Sequence, residues 1–177
     1  MSVFYIPEAF SISDLAPTRS ELQFIHDWLR ENRISCDVLE FGCGVTTWAI
    51  NLAVQPANYV AVESHPACLA PMRAFLPAVK IVSTSWHDIP RLPYGLVFVD
   101  SSSGRPTPGR GPFRHEATAY ALQLARRDAV FILHDVNLRR KGYQMSIQTL
   151  TDAGLKNVAR FQGRTGVGIY RRESDLM

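Results

Sequence analysis

The sequence has few cysteines, and they form no recognisable set. Its 177 residues contain Cys36, Cys43 and Cys68, and no two of them have the spacing of a zinc site or a redox pair. A sparse, odd number of cysteines is typical of a reducing compartment and argues against a disulfide framework. Cys43 has no histidine near it in sequence, so we interpret it as a small filler of a turn and not as a nucleophile.

Long apolar runs and a strong charge of either sign are also missing. The N-terminus has no basic stretch followed by a long apolar one, so we expect no signal peptide, no membrane partner and a cytoplasmic location. The 19 basic and 16 acidic residues give a net charge of +3. An excess this small does not indicate a nucleic-acid partner. The composition does not indicate an oligomeric state.

No internal repeat or low-complexity segment divides the chain. Its length suits one domain over residues 1–177, with a loop-like segment at 1–16 and a frayed tail at 171–177. Short apolar runs alternate with segments of helical periodicity, which is typical of an α/β domain. We predict helices at 18–30, 46–53, 66–77, 115–126 and 139–153, and strands at 38–41, 59–63, 79–82, 95–100, 129–135, 158–161 and 166–170.

This order predicts a single-domain, Rossmann-like, doubly wound sheet of about seven strands. Strands separated by helices are expected to pair in parallel, because a helical crossover returns the chain in the same direction. The last two strands have no helix between them, so we predict an antiparallel hairpin at the C-terminus.

The first strand is followed by a glycine turn with an acidic residue before it. Glu40 precedes Gly42 and Gly44, and a helix begins near Thr46. Glycines have no Cβ, so the backbone can turn sharply and approach a ligand closely. The free N–H groups at the start of the helix can then hold a polar or anionic group.

A second acidic residue, Glu63, ends the second apolar run. A carboxylate at that position accepts hydrogen bonds from two vicinal ribose hydroxyls, so the two acids and the glycines predict a site for a nucleoside-containing cofactor. The alternative is a tight strand–helix turn with a surface glutamate. After the third strand, Trp86 could stack on a base and Asp88 could accept a hydrogen bond from an adenine amino group, although Asp88 could instead cap a helix.

A long loop at 101–114 is rich in glycine and proline and carries Arg105, Arg110 and Arg114. Loops of this length inside a compact domain are usually functional or disordered. We interpret it as a substrate-binding loop, in which the arginines favour an acceptor with a carboxylate or phosphate group. Solvated loop arginines are the alternative.

The fourth and fifth strands end in Asp100 and in the pair His134 and Asp135. Neighbouring parallel strands end at the same edge of a sheet, so we expect these three side chains to converge there.

These motifs resemble those of class I S-adenosylmethionine-dependent methyltransferases over residues 18–170. The resemblance is carried by Glu40-Phe-Gly-Cys-Gly44, Glu63, the Asp88 region, Asp100 and the His134-Asp135 strand end. It implies S-adenosyl-L-methionine as the cofactor, with the glycines at its methionine part, Glu63 at the ribose and Asp88 at the adenine. The third glycine of the family pattern is replaced here by Thr46.

A narrower resemblance is to the glucuronoxylan 4-O-methyltransferase group. It is carried by Val99-Asp-Ser-Ser-Ser-Gly104, Pro108-Gly-Arg110 and the segment 131–139, while the family's strand-four ending, Asp-Gly-Pro or Asp-Ala-Pro, is Asp100-Ser-Ser here. It implies O-methylation of a small-molecule or carbohydrate acceptor of anionic character, which agrees with the arginine loop.

An acceptor hydroxyl needs a base or a metal ion to become a competent nucleophile. We hypothesise that His134 or Asp135 takes the proton and that Asp100 orients the acceptor or the cofactor amine. In a variant of this mechanism, Asp100, Asp135 and Asn137 bind Mg²⁺ or another divalent cation through oxygen.

Two other functions remain open. An NAD-type oxidoreductase shares the Gly-x-Gly turn and an acidic ribose ligand, but the third glycine of its motif would fall at Thr47, and Glu40 would lie unfavourably close to a pyrophosphate. The second alternative function is a non-catalytic binding module that keeps the fold. The sequence contains no Asn-Pro-Pro-Tyr segment, which disfavours N-methylation of a base.

Overall fold

The computed structural model describes residues 5–8, 10, 17–63, 66–82, 86–101, 114–139 and 141–173. Arg105 and Arg110 of the predicted substrate loop, most of the N-terminal segment and residues 174–177 lie outside this described part. The helices are α1 (Arg19–Glu31), α2 (Val45–Val54), α3 (Pro66–Phe75), α4 (Arg114–Leu124) and α5 (Lys141–Asp152). The strands are β1 (Val38–Phe41), β2 (Tyr59–Val62), β3 (Lys80–Val82), β4 (Tyr94–Val99), β5 (Ala125–His134), β6 (Leu155–Phe161) and β7 (Val167–Arg172), and a short 3-10 helix covers Trp86–Asp88.

The strands form one seven-stranded sheet in the order β3-β2-β1-β4-β5-β7-β6. The first five strands in this order are parallel, whereas β7 is antiparallel to both β5 and β6. This confirms the predicted Rossmann-like sheet with its C-terminal antiparallel hairpin. Strands β1, β2 and β4 are buried along their whole length, which explains why β2 and β4 are continuous apolar runs and β1 is interrupted only by Glu40.

The core has one apolar layer on each face of the sheet. Leu22 and Ile25 of α1, with Ile50 of α2, belong to the first layer, and Ala121 of α4 and Leu150 of α5 belong to the second. The sheet is therefore covered by helices on both sides, as a doubly wound fold requires. Among the described residues, no helix has both the length and the apolar character needed to cross a bilayer.

Several boundaries differ from the sequence prediction, and β6 begins at Leu155, three residues before its predicted start. Helix α4 ends at Leu124, and β5 begins at Ala125, which pairs with Tyr94 of β4. The periodicity placed 125 and 126 in the helix because an alanine there continues its apolar stripe, but pairing with β4 prevails. The predicted tail begins later than 171, because Arg172 still pairs with Leu155.

Candidate active site

Gly42 is needed where the end of β1 meets the end of β4. Its φ is +91°, and a Cβ built on it would lie 2.7 Å from the carbonyl oxygen of Asp100. Any other residue would combine an unfavourable φ with this overlap. The glycine therefore allows the two chain segments to approach each other, as well as the sharp turn that the sequence analysis expected, and its contact with a cofactor remains a prediction.

Gly44 differs from Gly42, because a Cβ built on it would have no atom of the described residues within 4 Å. Its N–H donates to the hydroxyl of Thr47 over 3.0 Å, and that hydroxyl donates to Glu40 Oε2 over 2.5 Å. Thr47 thus joins the glycine turn to the acidic residue before it. The sequence analysis missed this role of Thr47, because the residue expected to bond back to the cap from the third position of a helix is Glu or Gln. Thr46, the predicted cofactor residue beside it, is buried in the first turn of α2.

Glu40 is completely buried in the middle of this arrangement. Its Oε2 also accepts a hydrogen bond from the Tyr59 hydroxyl over 2.9 Å, whereas its Oε1 has no partner in the described structure. Burial raises the pKa of Glu40 to about 8, although the bonds from Thr47 and Tyr59 favour the carboxylate. The Oγ of Ser101, directly after Asp100, is a second buried oxygen with no partner among the described residues. Buried polar atoms are rarely left unpaired, so each suggests a group that binds there.

The remaining predicted cofactor residues lie along the same edge of the sheet. Glu63 follows β2, and its N–H donates to the Val82 carbonyl of β3 over 3.1 Å. Trp86 is half-buried and lies edge-to-face with Tyr120, with ring centroids 4.5 Å apart, while Asp88 is exposed. The roles of these residues toward a cofactor remain predictions.

The structure brings Asp100, His134 and Asp135 together at the ends of β4 and β5. One potential ligand atom of each lies within 4.8 Å of the others. His134 Nδ1 lies 3.0 Å from Asp100 Oδ1 and 3.5 Å from Asp135 Oδ1. Asp135 has a φ of +61°, which is uncommon for a residue other than glycine and is found at functional sites where the surrounding structure enforces it.

Arg114, the first residue of α4, fills the space between the two aspartates. Its Nη2 donates to Asp100 Oδ1 over 2.9 Å and to Asp135 Oδ2 over 3.1 Å. Its Nη1 and Nε donate to the carbonyls of Val99, His134 and Ser101. All five N–H groups of the guanidinium are thus used, so the prediction that Arg114 binds an anionic acceptor does not fit this geometry.

The pKa of His134 lies above neutral pH, so we expect its imidazole to be a cation. Burial on its own lowers the pKa of an imidazole, but the charge of Asp100, its hydrogen bond and the nearby Glu21 raise the pKa of His134 to about 10. The side chain is fully buried, and its Nε2 donates to the Thr165 hydroxyl over 2.9 Å. A buried imidazolium with both nitrogens engaged cannot take a proton from an acceptor, so the hypothesis of His134 as base does not fit.

The two aspartates respond differently to the same surroundings. For Asp100, burial is outweighed by His134 and Arg114, and its pKa is lowered. For Asp135, burial and the charge of Asp100 outweigh the nearby cations, and its pKa is raised. Both side chains are slightly accessible, at 14% for Asp100 and 10% for Asp135. Asp135 is therefore the better placed of the site's groups to accept a proton.

Glu21 of α1 is a site residue that the sequence analysis recognised only as part of a helix cap. Its Oε2 accepts hydrogen bonds from the N–H and hydroxyl of Thr18, and its Oε1 accepts from Thr165 Oγ1 and Gly166 N. Burial alone raises a carboxyl pKa, but these bonds and the charge of His134, 3.7 Å away, lower the pKa of Glu21. No local pattern reveals this contact, because Glu21 and Thr165 are distant in sequence.

Asn137, the third predicted metal ligand, is held by other groups. Its Oδ1 accepts a hydrogen bond from Arg160 over 2.7 Å, and its Nδ2 donates to the Gly163 carbonyl over 2.8 Å. A divalent cation does not fit the arrangement, because Arg114 already lies between Asp100 and Asp135 and the Asn137 oxygen is directed to Arg160.

Comparisons with solved structures identify the fold. A candidate caffeoyl-CoA O-methyltransferase from Staphylococcus aureus matches with a TM-score of 0.66 and 12% identity, over 88% of this chain and 84% of that one. A precorrin-6y C5,15-methyltransferase from Geobacter metallireducens GS-15 has a TM-score of 0.64 and 16% identity, over 93% and 94% of the two chains. The N-methyltransferase NodS from Bradyrhizobium japonicum WM9, in complex with S-adenosyl-L-homocysteine, has a TM-score of 0.63 and 13% identity, over 95% and 92%.

The chain therefore has the fold of class I S-adenosylmethionine-dependent methyltransferases. No protein-family model matches its sequence, and a comparison with curated proteins finds no match. The three structures carry O-, C- and N-methyltransferase names, so the fold leaves the acceptor atom undetermined. The comparison does not favour the oxidoreductase alternative.

Proposed function

We propose that this chain is an S-adenosylmethionine-dependent methyltransferase that methylates a hydroxyl group of a small or sugar-type acceptor of anionic character. The observation that carries the proposal is the buried Glu40 Oε1, which has no partner among the described residues and lies beside a glycine turn where no described atom occupies the space at Gly44. A cationic ammonium group, such as that of the cofactor's methionine part, would satisfy this oxygen and favour the charged form of Glu40.

The other residues of the sheet edge fit the rest of the cofactor. Glu63 would accept hydrogen bonds from the ribose hydroxyls, and the Trp86–Asp88 turn would adjoin the adenine. Ser101 Oγ offers a further hydrogen bond beside Gly42. When bound, S-adenosylmethionine would supply a methyl group on a sulfonium, a reaction in which the protein contributes alignment and proton removal.

Asp135 would act as the base on the acceptor side. Its raised pKa makes it a stronger proton acceptor than Asp100, and its side chain remains partly accessible. As the acceptor oxygen bonds to the methyl carbon and the carbon–sulfur bond breaks, the hydroxyl proton would pass to the Asp135 carboxylate. Asp100, held as a carboxylate by His134 and Arg114, would orient the acceptor.

The anionic character of the acceptor is supported by the loop that joins β4 to α4. This loop begins directly after Asp100 and contains Arg105 and Arg110, whose guanidinium groups could pair with a carboxylate. The resemblance of Pro108-Gly-Arg110 and the β5 end to the glucuronoxylan 4-O-methyltransferase group supports a uronic acid in a sugar chain as the first acceptor to test.

Calorimetric titration tests the cofactor. We expect S-adenosylhomocysteine to bind the wild-type protein, Glu63→Ala to bind it about tenfold more weakly, equivalent to about 1.4 kcal/mol, and NAD not to bind. Glu31→Ala, on the exposed end of α1, is the matched control and should bind like the wild type. Binding of NAD without binding of S-adenosylhomocysteine would refute the proposal in favour of an oxidoreductase.

A methylation screen tests the acceptor. Radiolabelled methyl donor is supplied with glucuronic-acid-containing oligosaccharides, with neutral oligosaccharides of equal length and with small phenols. We expect transfer to the acidic sugars only, and loss of transfer in Asp135→Asn. Transfer to phenols alone would retain the methyltransferase and overturn the proposed acceptor, and absence of any transfer despite cofactor binding would favour a non-catalytic module.

A further inference from the structure

We infer that Arg114 occupies the place of a divalent cation in this site and that the chain works without a metal ion, with a latent metal site beneath the guanidinium. Asp100, His134 and Asp135 offer ligand atoms within 4.8 Å of one another, a spacing from which small rotations could bring them onto one ion. The inference concerns the acceptor side of the proposed methyltransferase, and its metal-binding part can be tested independently of that function.

The guanidinium contacts the oxygens that a cation would need. Nη2 lies 2.9 Å from Asp100 Oδ1 and 3.1 Å from Asp135 Oδ2. A Mg²⁺ or Mn²⁺ ion would have to lie about 2.1 Å from such oxygens. There is no room for an ion at that distance while a nitrogen lies between the two carboxylates, and the positive charge of the arginine opposes its entry.

Arg114 is fixed in this position by more than the two aspartates. The carbonyls of Ser101, Val99 and His134 accept its other hydrogen bonds over 2.7 to 3.3 Å. Its guanidinium carbon lies 4.4 Å from the centre of the Tyr143 ring, and the residue is only 2% exposed. Moving the side chain aside would leave buried carbonyls unpaired, which makes the guanidinium a permanent part of the site.

A guanidinium in the place of a metal ion has a consequence for the chemistry of the site. A divalent ion would bind the acceptor oxygen directly and lower its pKa, whereas every N–H of Arg114 is already engaged within the protein. Arg114 is therefore a positioning residue that holds the two carboxylates in a fixed geometry, and activation of the acceptor falls to a carboxylate. EDTA should consequently leave the methylation rate of the enzyme as isolated unchanged, and adding Mg²⁺ or Mn²⁺ to the metal-stripped enzyme should not raise it.

Manganese titration followed by electron paramagnetic resonance tests the inference on the full chain. We expect no binding of Mn²⁺ at this site in the wild type, and in Arg114→Ala one new site at least tenfold tighter than any wild-type binding. The double variant Arg114→Ala/Asp100→Asn should lose the new site. Arg30→Ala, which removes an exposed arginine at the end of α1, is the control for loss of positive charge and should not gain a site.

Saturable binding of Mn²⁺ to the wild type that disappears in Asp100→Asn would overturn the inference, and so would a folded Arg114→Ala variant that binds no Mn²⁺. Circular dichroism establishes folding. If Arg114→Ala does not fold, Arg114→Gln takes its place with the same expectations, and the wild-type titration decides in either case. Titration of S-adenosylhomocysteine on the same samples separates failure of this inference from failure of the proposed function.

Discussion

Burial decides the pKa shift of Glu40, whereas neighbouring charges outweigh burial in the pKa shift of His134. Among the described residues the partners of Glu40 are the hydroxyls of Thr47 and Tyr59, so burial prevails and its pKa is raised to about 8. His134 has carboxylates around it, so their charge prevails over burial and its pKa is raised to about 10. Near neutral pH, Glu40 is therefore mostly an uncharged acid, and His134 is a cation. Each state gives a prediction at the level of the single residue.

The first residue-level prediction is that binding of S-adenosylhomocysteine releases protons at pH 7. Glu40 is mostly protonated in the free protein, and a ligand ammonium beside it favours the carboxylate, so part of a proton must leave on binding. The observed binding enthalpy should differ between phosphate and Tris buffers in proportion to their ionisation enthalpies. In Glu40→Gln the difference should vanish, and a wild type whose enthalpy is independent of buffer would contradict the role of Glu40.

The second residue-level prediction concerns the pH dependence of methyl transfer. The positive charge of His134 opposes the upward shift of the Asp135 pKa. His134→Gln removes that charge, so the pH below which activity is lost should move upward by roughly one unit. Rates measured between pH 4 and 9 check this. Thr165→Val, which removes the hydroxyl at Nε2 but keeps the charge, should leave the position of this limb nearly unchanged, and an equal shift in both variants would count against the charge effect.

At the level of elements, the β1–α2 turn separates two uses of glycine. Gly42 has a positive φ and lies against the Asp100 carbonyl, whereas Gly44 has an extended φ of 164° and no described atom near the position of a Cβ. A glycine motif in a sequence does not distinguish a residue required by the fold from one required by a ligand. The surroundings of each Cβ position make the distinction.

Alanine substitutions at these two positions should therefore have different effects. Gly42→Ala should lower the free energy of unfolding by about 2 kcal/mol or more, because the left-handed φ and the contact with β4 both become unfavourable. Gly44→Ala should change stability by less than about 1 kcal/mol and instead weaken binding of S-adenosylhomocysteine. Urea denaturation and calorimetry measure the two effects, and equal destabilisation by both variants would show that Gly44 also has a structural role.

For the whole molecule, the site connects parts of the chain that are far apart in sequence. Glu21 on α1, Asp100 after β4, His134 on β5 and Thr165 before β7 form one network of hydrogen bonds. The sheet order places β5 between β4 and β7. Helix α1 reaches the site through Glu21, whose Oε1 accepts a hydrogen bond from Gly166 N just before β7. Ionisation of the site is therefore linked to folding of the whole domain.

This linkage predicts that the free protein is most stable in mildly acidic solution. Glu21 and Asp100 have lowered pKa values, so their contribution is lost as the pH falls toward the acid range. His134 has a raised pKa, so its contribution is complete below about 6.5 and is lost as the pH rises through about 10. Glu40 also has a raised pKa, and its burial costs increasingly more stability from about pH 4.5 to about 8.

Urea unfolding at pH 4 to 9 checks this prediction. The free energy of unfolding should be greatest near pH 5 to 6 and decline toward pH 9, and Glu40→Gln should make the decline shallower. Saturating S-adenosylhomocysteine should move the optimum to higher pH, because the bound ligand favours ionised Glu40. A stability that rises steadily from pH 6 to 9 in the free protein would contradict the raised pKa values.

The sequence alone determined the alternation of strands and helices, the seven-stranded sheet and the position of Glu40, Asp100, His134 and Asp135 at strand ends. These follow from local information: the periodicity of apolar residues sets the element, and parallel strands end at one edge. Only the tertiary structure decided what these residues do. The sequence analysis interpreted Arg114 as a loop arginine, whereas in the structure it links Asp100 and Asp135. It interpreted His134 as a possible base, whereas the surrounding carboxylates favour its cationic form. A pKa and a hydrogen-bond partner depend on groups brought together from distant parts of the chain, and no local pattern records them.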